Sequence, residues 1–167
     1  MALSGLRQFQ ETLAERLREA TQGQADSHLV FESGGERYLA RLQDTSEVLP
    51  VPPLTPVPLT KSWMMGLANV RGRLVSVVDF SAFLGEPATV ATPQARLVIL
   101  AERLGSHAGL LVERVLGLRG LEALHKREAA AGAPWLDALY ADGEGRDLRV
   151  LDLAALAASE PFLQAGI

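Results

Sequence analysis

Hydrophobic and polar positions follow two different periods along this chain. Near the start, Leu6, Phe9, Leu13, Leu17 and Ala20 recur at helical spacing, with Arg7, Glu11, Glu15, Arg18 and Glu19 around the rest of the turn. That pattern predicts an amphipathic helix within residues 1–25, capped by Ser4 and stopped by Gly23. From His28 the period drops to two. His28 to Ser33 and Glu36 to Leu42 flank Gly34-Gly35 and read as a β-hairpin. In its second strand Tyr38, Ala40 and Leu42 face one way and Arg37, Leu39 and Arg41 the other, so Leu39 breaks the alternation of a half-buried strand. Ser46 to Leu49 reads as a third strand. Pro50, Pro52, Pro53, Pro56 and Pro58 then remove backbone donors and force an extended crossover.

Beyond the crossover, Leu67 to Val70 and Leu74 to Phe80 flank Arg71-Gly72-Arg73 and read as two strands joined by a tight turn. Ser81 to Leu84 is a helical turn closed by Gly85, and Pro87 to Gln94 is a polar connector. Arg96 to Ala101 and His107 to Val115 form a second hairpin about Gly105-Ser106. Gly117 and Gly120 read as turn residues, and Leu121 to Tyr140 as mixed helix and loop. Leu148 to Leu153 is a strand, Ala154 to Ala158 a helix, and Pro161 opens a tail over 161–167. The stretch from Val77 to Phe83 is echoed by Val150 to Leu156, each ending a strand and starting a helical turn. Two similar β-units in tandem follow, with small barrels as the architecture that removes exposed sheet edges.

Composition adds few constraints. The chain is 48% hydrophobic and 22% charged, within the globular range. No apolar run reaches the roughly 20 residues that cross a bilayer, and the N-terminus lacks the uninterrupted apolar core of a secretory signal. Without cysteine, disulfides and thiolate metal sites are excluded. A net charge of -4 disfavours nucleic acid as a partner. The expected location is the cytoplasm, with no direct insertion into the membrane.

Candidate chemistry is sparse. His28, His107 and His125 lack metal-ligand spacing, no phosphate-binding loop is present, and no cofactor is expected. Asp44-Thr45-Ser46 matches the three-residue pattern of aspartic proteases, which makes a small hydrolase using Asp44 the alternative of a different class. It requires a second carboxylate to share a proton. Otherwise Asp44 or Ser46 ends a strand. Asp79 and Asp152 each precede an apolar helical turn and read as caps. Trp63-Met64-Met65 reads as core. Arg71, at a strand-to-strand turn, presents a planar donor array suited to carboxylates or carbonyls of another chain.

The string from Gly66 to Phe80, GLANVRGRLVSVVDF, resembles the central signature of the CheW-like domain family, G-[LV]-x-N-L-R-G-x-[VL]-[VI]-P-[VI]-[VI]-D-L. Val70 stands where leucine is usual and Ser76 where proline is frequent. The resemblance continues upstream through Tyr38 and Ser46 to Leu49, and downstream through Gly109 to Val115; Leu121 to Arg146 matches least. It implies a mainly β fold of two packed SH3-like five-stranded barrels in a CheW-like domain over 26–160, the first barrel mainly 26–85 and the second mainly 95–158. It further implies a non-catalytic adaptor joining a methyl-accepting chemoreceptor to a CheA-type histidine kinase, held at membrane receptor arrays by those partners. By position, Glu47 and Val48 fall on the kinase-facing strand and Asn69, Val70 and Arg71 near the receptor-facing turn, with Ala108 and Leu110 lining the groove from the second barrel. The Ala68 to Gly72 variant, the early helix and the terminal SEPFLQ are most similar to PilI-type members of pilus-linked systems. Those would serve a ChpA-like kinase and a PilJ-like receptor in twitching motility; a flagellar CheW adaptor is the alternative.

Overall fold

A computed structural model describes residues 8, 10–13, 27–128 and 132–166. Its strands are β1 (Ser27–Ser33), β2 (Glu36–Arg41), β3 (Thr45–Pro50), β4 (Met64–Val70), β5 (Arg73–Asp79), β6 (Arg96–Leu100), β7 (Ala108–Val112), β8 (Arg114–Gly120), β9 (His125–Arg127), β10 (Leu136–Ala141) and β11 (Asp147–Leu151). Three short helices are α1 (Phe80–Phe83), α2 (Leu153–Ala158) and α3 (Glu160–Leu163). Residues 8 and 10–13 are helical. The rest of the helix expected within 1–25 lies outside the described residues.

The strands form two sheets, ordered β8-β1-β2-β11-β10-β9 and β3-β6-β7-β5-β4. Their orders correspond position by position. Each has an antiparallel hairpin at its heart, β1–β2 or β6–β7, joined in parallel to a strand that leads into a helix, β11 or β5. The place of β9 is taken in the smaller sheet by Thr55 of the crossover, which exchanges two 2.8 Å backbone hydrogen bonds with Leu67 of β4. The echo between Val77–Phe83 and Val150–Leu156 is therefore structural, and it extends further: Asp79 N donates to Trp63 O at 2.8 Å and Asp152 N to Trp135 O at 2.7 Å. What the sequence division missed is that the leading hairpins are exchanged. β1–β2 joins the strands of the second half and β6–β7 those of the first, so 26–85 and 95–158 do not each make one sheet.

Among the described residues, three apolar cores result. One fills the space between the sheets, with Phe31, Tyr38, Phe80, Val98, Leu110, Leu151 and Leu156. Another lines the inner face of the smaller sheet, through Ala68, Val77, Leu97 and Leu111, and the third that of the larger sheet, through Val30, Leu39, Leu124, Leu148 and Val150. Strands that serve two cores must be apolar on both faces. This is why Leu39 interrupts alternation: it is wholly buried on the face of β2 opposite Tyr38 and Ala40. It is also why β7 is buried from end to end. Phe31, Tyr38 and Phe80 interlock at centroid distances of 5.0 to 5.9 Å. Burial pushes the Tyr38 hydroxyl up to about 12.

The segment from Leu121 to Tyr140 is more regular than mixed helix and loop. It holds a three-residue 3-10 turn at Leu121–Ala123, then β9 and most of β10. Gly117 and Gly120 are strand residues of β8, not turns, and Gly117 sits at φ 125 where the β1 pairing shifts register past Leu116. β9 has three exposed residues and no alternation to read.

Asp79 and Asp152 cap α1 and α2, accepting from Ala82 N (3.3 Å) and Ala155 N (3.0 Å). Asp79, fully buried, also accepts from Thr89 N at 2.8 Å and Thr89 Oγ1 at 2.7 Å, which fastens the 86–94 connector. Asp79→Ala leaves three half-buried donors unsatisfied and should cost about 2–4 kcal/mol in denaturant unfolding, against about 1 kcal/mol for Asp152→Ala. Equal losses would show that the connector bonds add nothing.

Candidate functional site

β3 is an edge strand whose residues face alternate sides, and its cross-strand partners on β6 fix which side each takes. Glu47 lies opposite Ile99 and Leu49 opposite Leu97, both on the inner face of the smaller sheet, while Val48 lies opposite Val98 on the other face. Glu47 is thus placed where the inner core meets solvent. Val48 is 37% exposed.

The second part of the site is the β4–β5 hairpin. Its two central residues, Arg71 and Gly72, have φ of 53° and 81°. Two consecutive positive φ values make the primed turn that suits the twist of paired strands, and the first central position favours Asn, Asp or Gly. The Asn69 side-chain oxygen accepts from Gly72 N at 2.9 Å and braces the turn. Arginine in the left-handed region costs about 1 kcal/mol relative to glycine. The turn does not ask for Arg71, so its side chain is the reason to look for a function there.

The smaller sheet curls so that this hairpin meets β3, although the two edge strands share no ladder. Arg71 Nη2 lies 3.0 Å from Glu47 Oε1, with the Arg71 side chain 81% exposed. Arg73 pairs with Glu102 beside it. Between these ion pairs is a cleft of about 280 Å³, walled by Ser46, Val70, Val75, Ile99 and His107. Exposed ion pairs contribute at most about 1 kcal/mol, so either one can be exchanged for a partner's charge at little cost.

Of the seven residues expected at binding surfaces, Glu47, Val70 and Arg71 meet at this cleft. Val48 is exposed next to it, and Asn69 is exposed but committed to the turn. The groove lining expected from the second barrel is changed by burial. Leu110 has no exposed surface because β7 is the central strand of its sheet and covered on both sides, so it supports the site from the core. Ala108 is 3% exposed and forms part of a separate depression of about 220 Å³ with Trp63, Met64, His107 and Phe162. Arg73 and Glu102 were not singled out from sequence. They lie far apart along the chain and only the curl of the sheet joins them.

Asp44 has a different role from a catalytic acid. Its carboxylate is 1% exposed and receives Arg41 Nε at 3.1 Å and Arg103 Nη2. Two guanidinium groups occupy the space a second carboxylate would need, and they fix Asp44 as a buried anchor between the β2–β3 turn and the 102–104 turn. Among the described residues, no group of three or more His, Asp and Glu side chains is placed to hold a metal, and no helix is long and apolar enough to cross a membrane. A second charged network ties the larger sheet together: Glu32 accepts from Arg114 at 2.6 Å and Arg37 at 3.3 Å. The Arg114 hydrogen bond leads in holding the Glu32 carboxyl below the usual carboxylate range.

Comparison with known proteins bears on the family and the fold. The model of the family described as CheW-like domain matches residues 27–160. PilI of Pseudomonas aeruginosa is 38% identical over 96 residues, which cover 58% of this chain and 53% of the relative. The chemotaxis protein CheW of Rhizobium meliloti is 34% identical over 88 residues, 52% of this chain and 56% of the relative. The chain thus spans about half the length of the curated relatives it matches. The crystal structure of the scaffolding protein TtCheW from Thermoanaerobacter tengcongensis superposes with a TM-score of 0.68 at 20% identity, covering 82% of this chain and 95% of that one. With its mainly β architecture of two SH3-like sheets, the chain belongs to the CheW-like domain family.

Proposed function

We propose that this adaptor couples a chemoreceptor to a CheA-type histidine kinase in a pilus-linked chemosensory system. Glu47 and Val48 form the kinase contact. Asn69, Val70 and Arg71 form the receptor contact, with Ala108 at its margin and Leu110 behind it. The observation that carries this reading is the 3.0 Å ion pair between Glu47 and Arg71, which joins the two surfaces directly. A partner that takes the charge of one residue releases the other, so occupancy of one surface changes the geometry of the second. Catalysis resides in the kinase, and the adaptor with its partners is held at receptor arrays in the cytoplasm.

Similarity to PilI supports the pilus-type pathway, with a ChpA-like kinase and a PilJ-like receptor. Similarity to a Rhizobium CheW supports a flagellar-type pathway as the second reading. Arg71→Ala should leave the fold intact and weaken receptor binding about tenfold, which titration against the receptor's signalling tip measures. Arg71→Gly should weaken binding equally while raising stability by up to about 1 kcal/mol, because the left-handed strain is relieved. Wild-type receptor affinity in both folded variants would remove Arg71 from the site.

A further inference from the structure

We propose that the N-terminal segment of this chain covers the outer edge of β8, packing Phe9, Leu13 and Leu17 over Leu116 and Leu118. β8 ends its sheet, with β1 on one side and, among the described residues, no further strand on the other. Leu116 is 39% and Leu118 56% exposed, an unusual pair of large apolar side chains for an edge strand. Register places Leu118 opposite Leu29 and Val115 opposite Phe31, and Leu29, Phe31 and Val115 all belong to the core between the sheets. Leu118 is therefore the uncovered rim of that core.

The amphipathic stripe of Leu6, Phe9, Leu13 and Leu17 read from the sequence is an apolar face of the same chain that can cover this rim. Leu13 is 49% exposed. Two open apolar surfaces in one chain favour each other over any partner in free solution, because tethering holds them at millimolar effective concentration. The tether also delivers them to the same spot. Ser27, where β1 begins, is paired with Gly120, two positions along β8 from Leu118. The nine residues between Leu17 and Ser27 reach about 30 Å when extended, more than the span needed. A helix from Leu6 to Leu17 is about 18 Å long, and β8 from Leu116 to Gly120 about 13 Å, so the stripe matches the strand in length. Docking also shields an edge that otherwise invites strand addition by another chain.

The absence of cysteine makes the test direct in the full chain. Leu118→Cys is combined in turn with Phe9→Cys, Leu13→Cys or Leu17→Cys on the apolar stripe, and with Glu15→Cys on the opposite face, then treated with a short bismaleimide. At least one stripe position should give intramolecular product in about fivefold excess over Glu15→Cys, with a yield unchanged on dilution. Equal yields from all four positions would overturn the proposal, as would product found only as a crosslinked dimer. An independent readout uses Leu118→Asp, which leaves the buried strands intact. It should deprotect amides of residues 8–17 in hydrogen exchange, and unchanged protection would count against docking.

Discussion

Gly66→Ala should cost about 3 kcal/mol or more in denaturant unfolding, the largest loss expected for a glycine-to-alanine change among the described residues. Gly66 has φ 137, where side chains are strained, and its register position follows a bulge at Met65 in the β4–β5 pairing. The added carbon would run into the Thr55 carbonyl, whose hydrogen bonds with Leu67 hold the crossover against β4. Relief requires breaking that bridge, which exposes the edge the crossover protects. Gly72→Ala is the control: it has φ 81 but open space around the added carbon, and should cost only about 1 kcal/mol. If the two substitutions cost the same, strain alone accounts for Gly66 and the packed crossover contributes nothing.

Glu47→Arg should weaken kinase binding at least tenfold, about 1.4 kcal/mol, while changing stability by less than about 1 kcal/mol. The substitution sets two guanidinium groups against each other at the mouth of the cleft, where Glu47 now pairs with Arg71. It also reverses the charge offered to the kinase. Isothermal titration against the kinase's regulatory domain measures the first effect, and thermal unfolding the second. The exchange variant Glu47→Arg/Arg71→Glu separates two explanations. It restores an ion pair across the cleft without restoring a carboxylate on β3, so binding should stay weak if the kinase touches Glu47 itself. Recovery of binding would instead assign the effect to the pair as a latch.

The doubled β-architecture was legible in the sequence because strand ends and their caps repeat: Asp79 and Asp152 hold equivalent places and even equivalent tryptophan carbonyls. The exchange of hairpins was not. Local alternation says that β1 and β2 pair with each other, but the parallel pairings of β2 with β11 and β5 with β7 join residues far apart in the chain and leave no periodic trace. Leu39 was the one visible hint, since an apolar residue on the polar face of a strand marks a second core. β9 and β10 escaped notice for the opposite reason: exposed or half-exposed strands at a sheet's end need no apolar alternation. At the candidate site, the position of Arg71 in a strand-to-strand turn was legible from Gly72 and the flanking alternation. The ion pair between Arg71 and Glu47 was not, because the two are brought together by the curl of the sheet and not by any ladder between their strands. Leu110 was misread as groove lining because an apolar residue looks the same in sequence whether it faces a partner or a core.

In the proposed function, one small domain holds a receptor and a kinase at the same time through adjacent surfaces. The most direct test is affinity capture from native cell extract with the full chain as bait, run in parallel with Glu47→Arg and Arg71→Ala. The wild-type chain should recover a CheA-type histidine kinase and a methyl-accepting chemoreceptor together. Glu47→Arg should lose the kinase and keep the receptor, and Arg71→Ala should do the reverse. Recovery of neither partner by the wild-type chain, or loss of both partners by either folded variant, would contradict two separable surfaces on one adaptor.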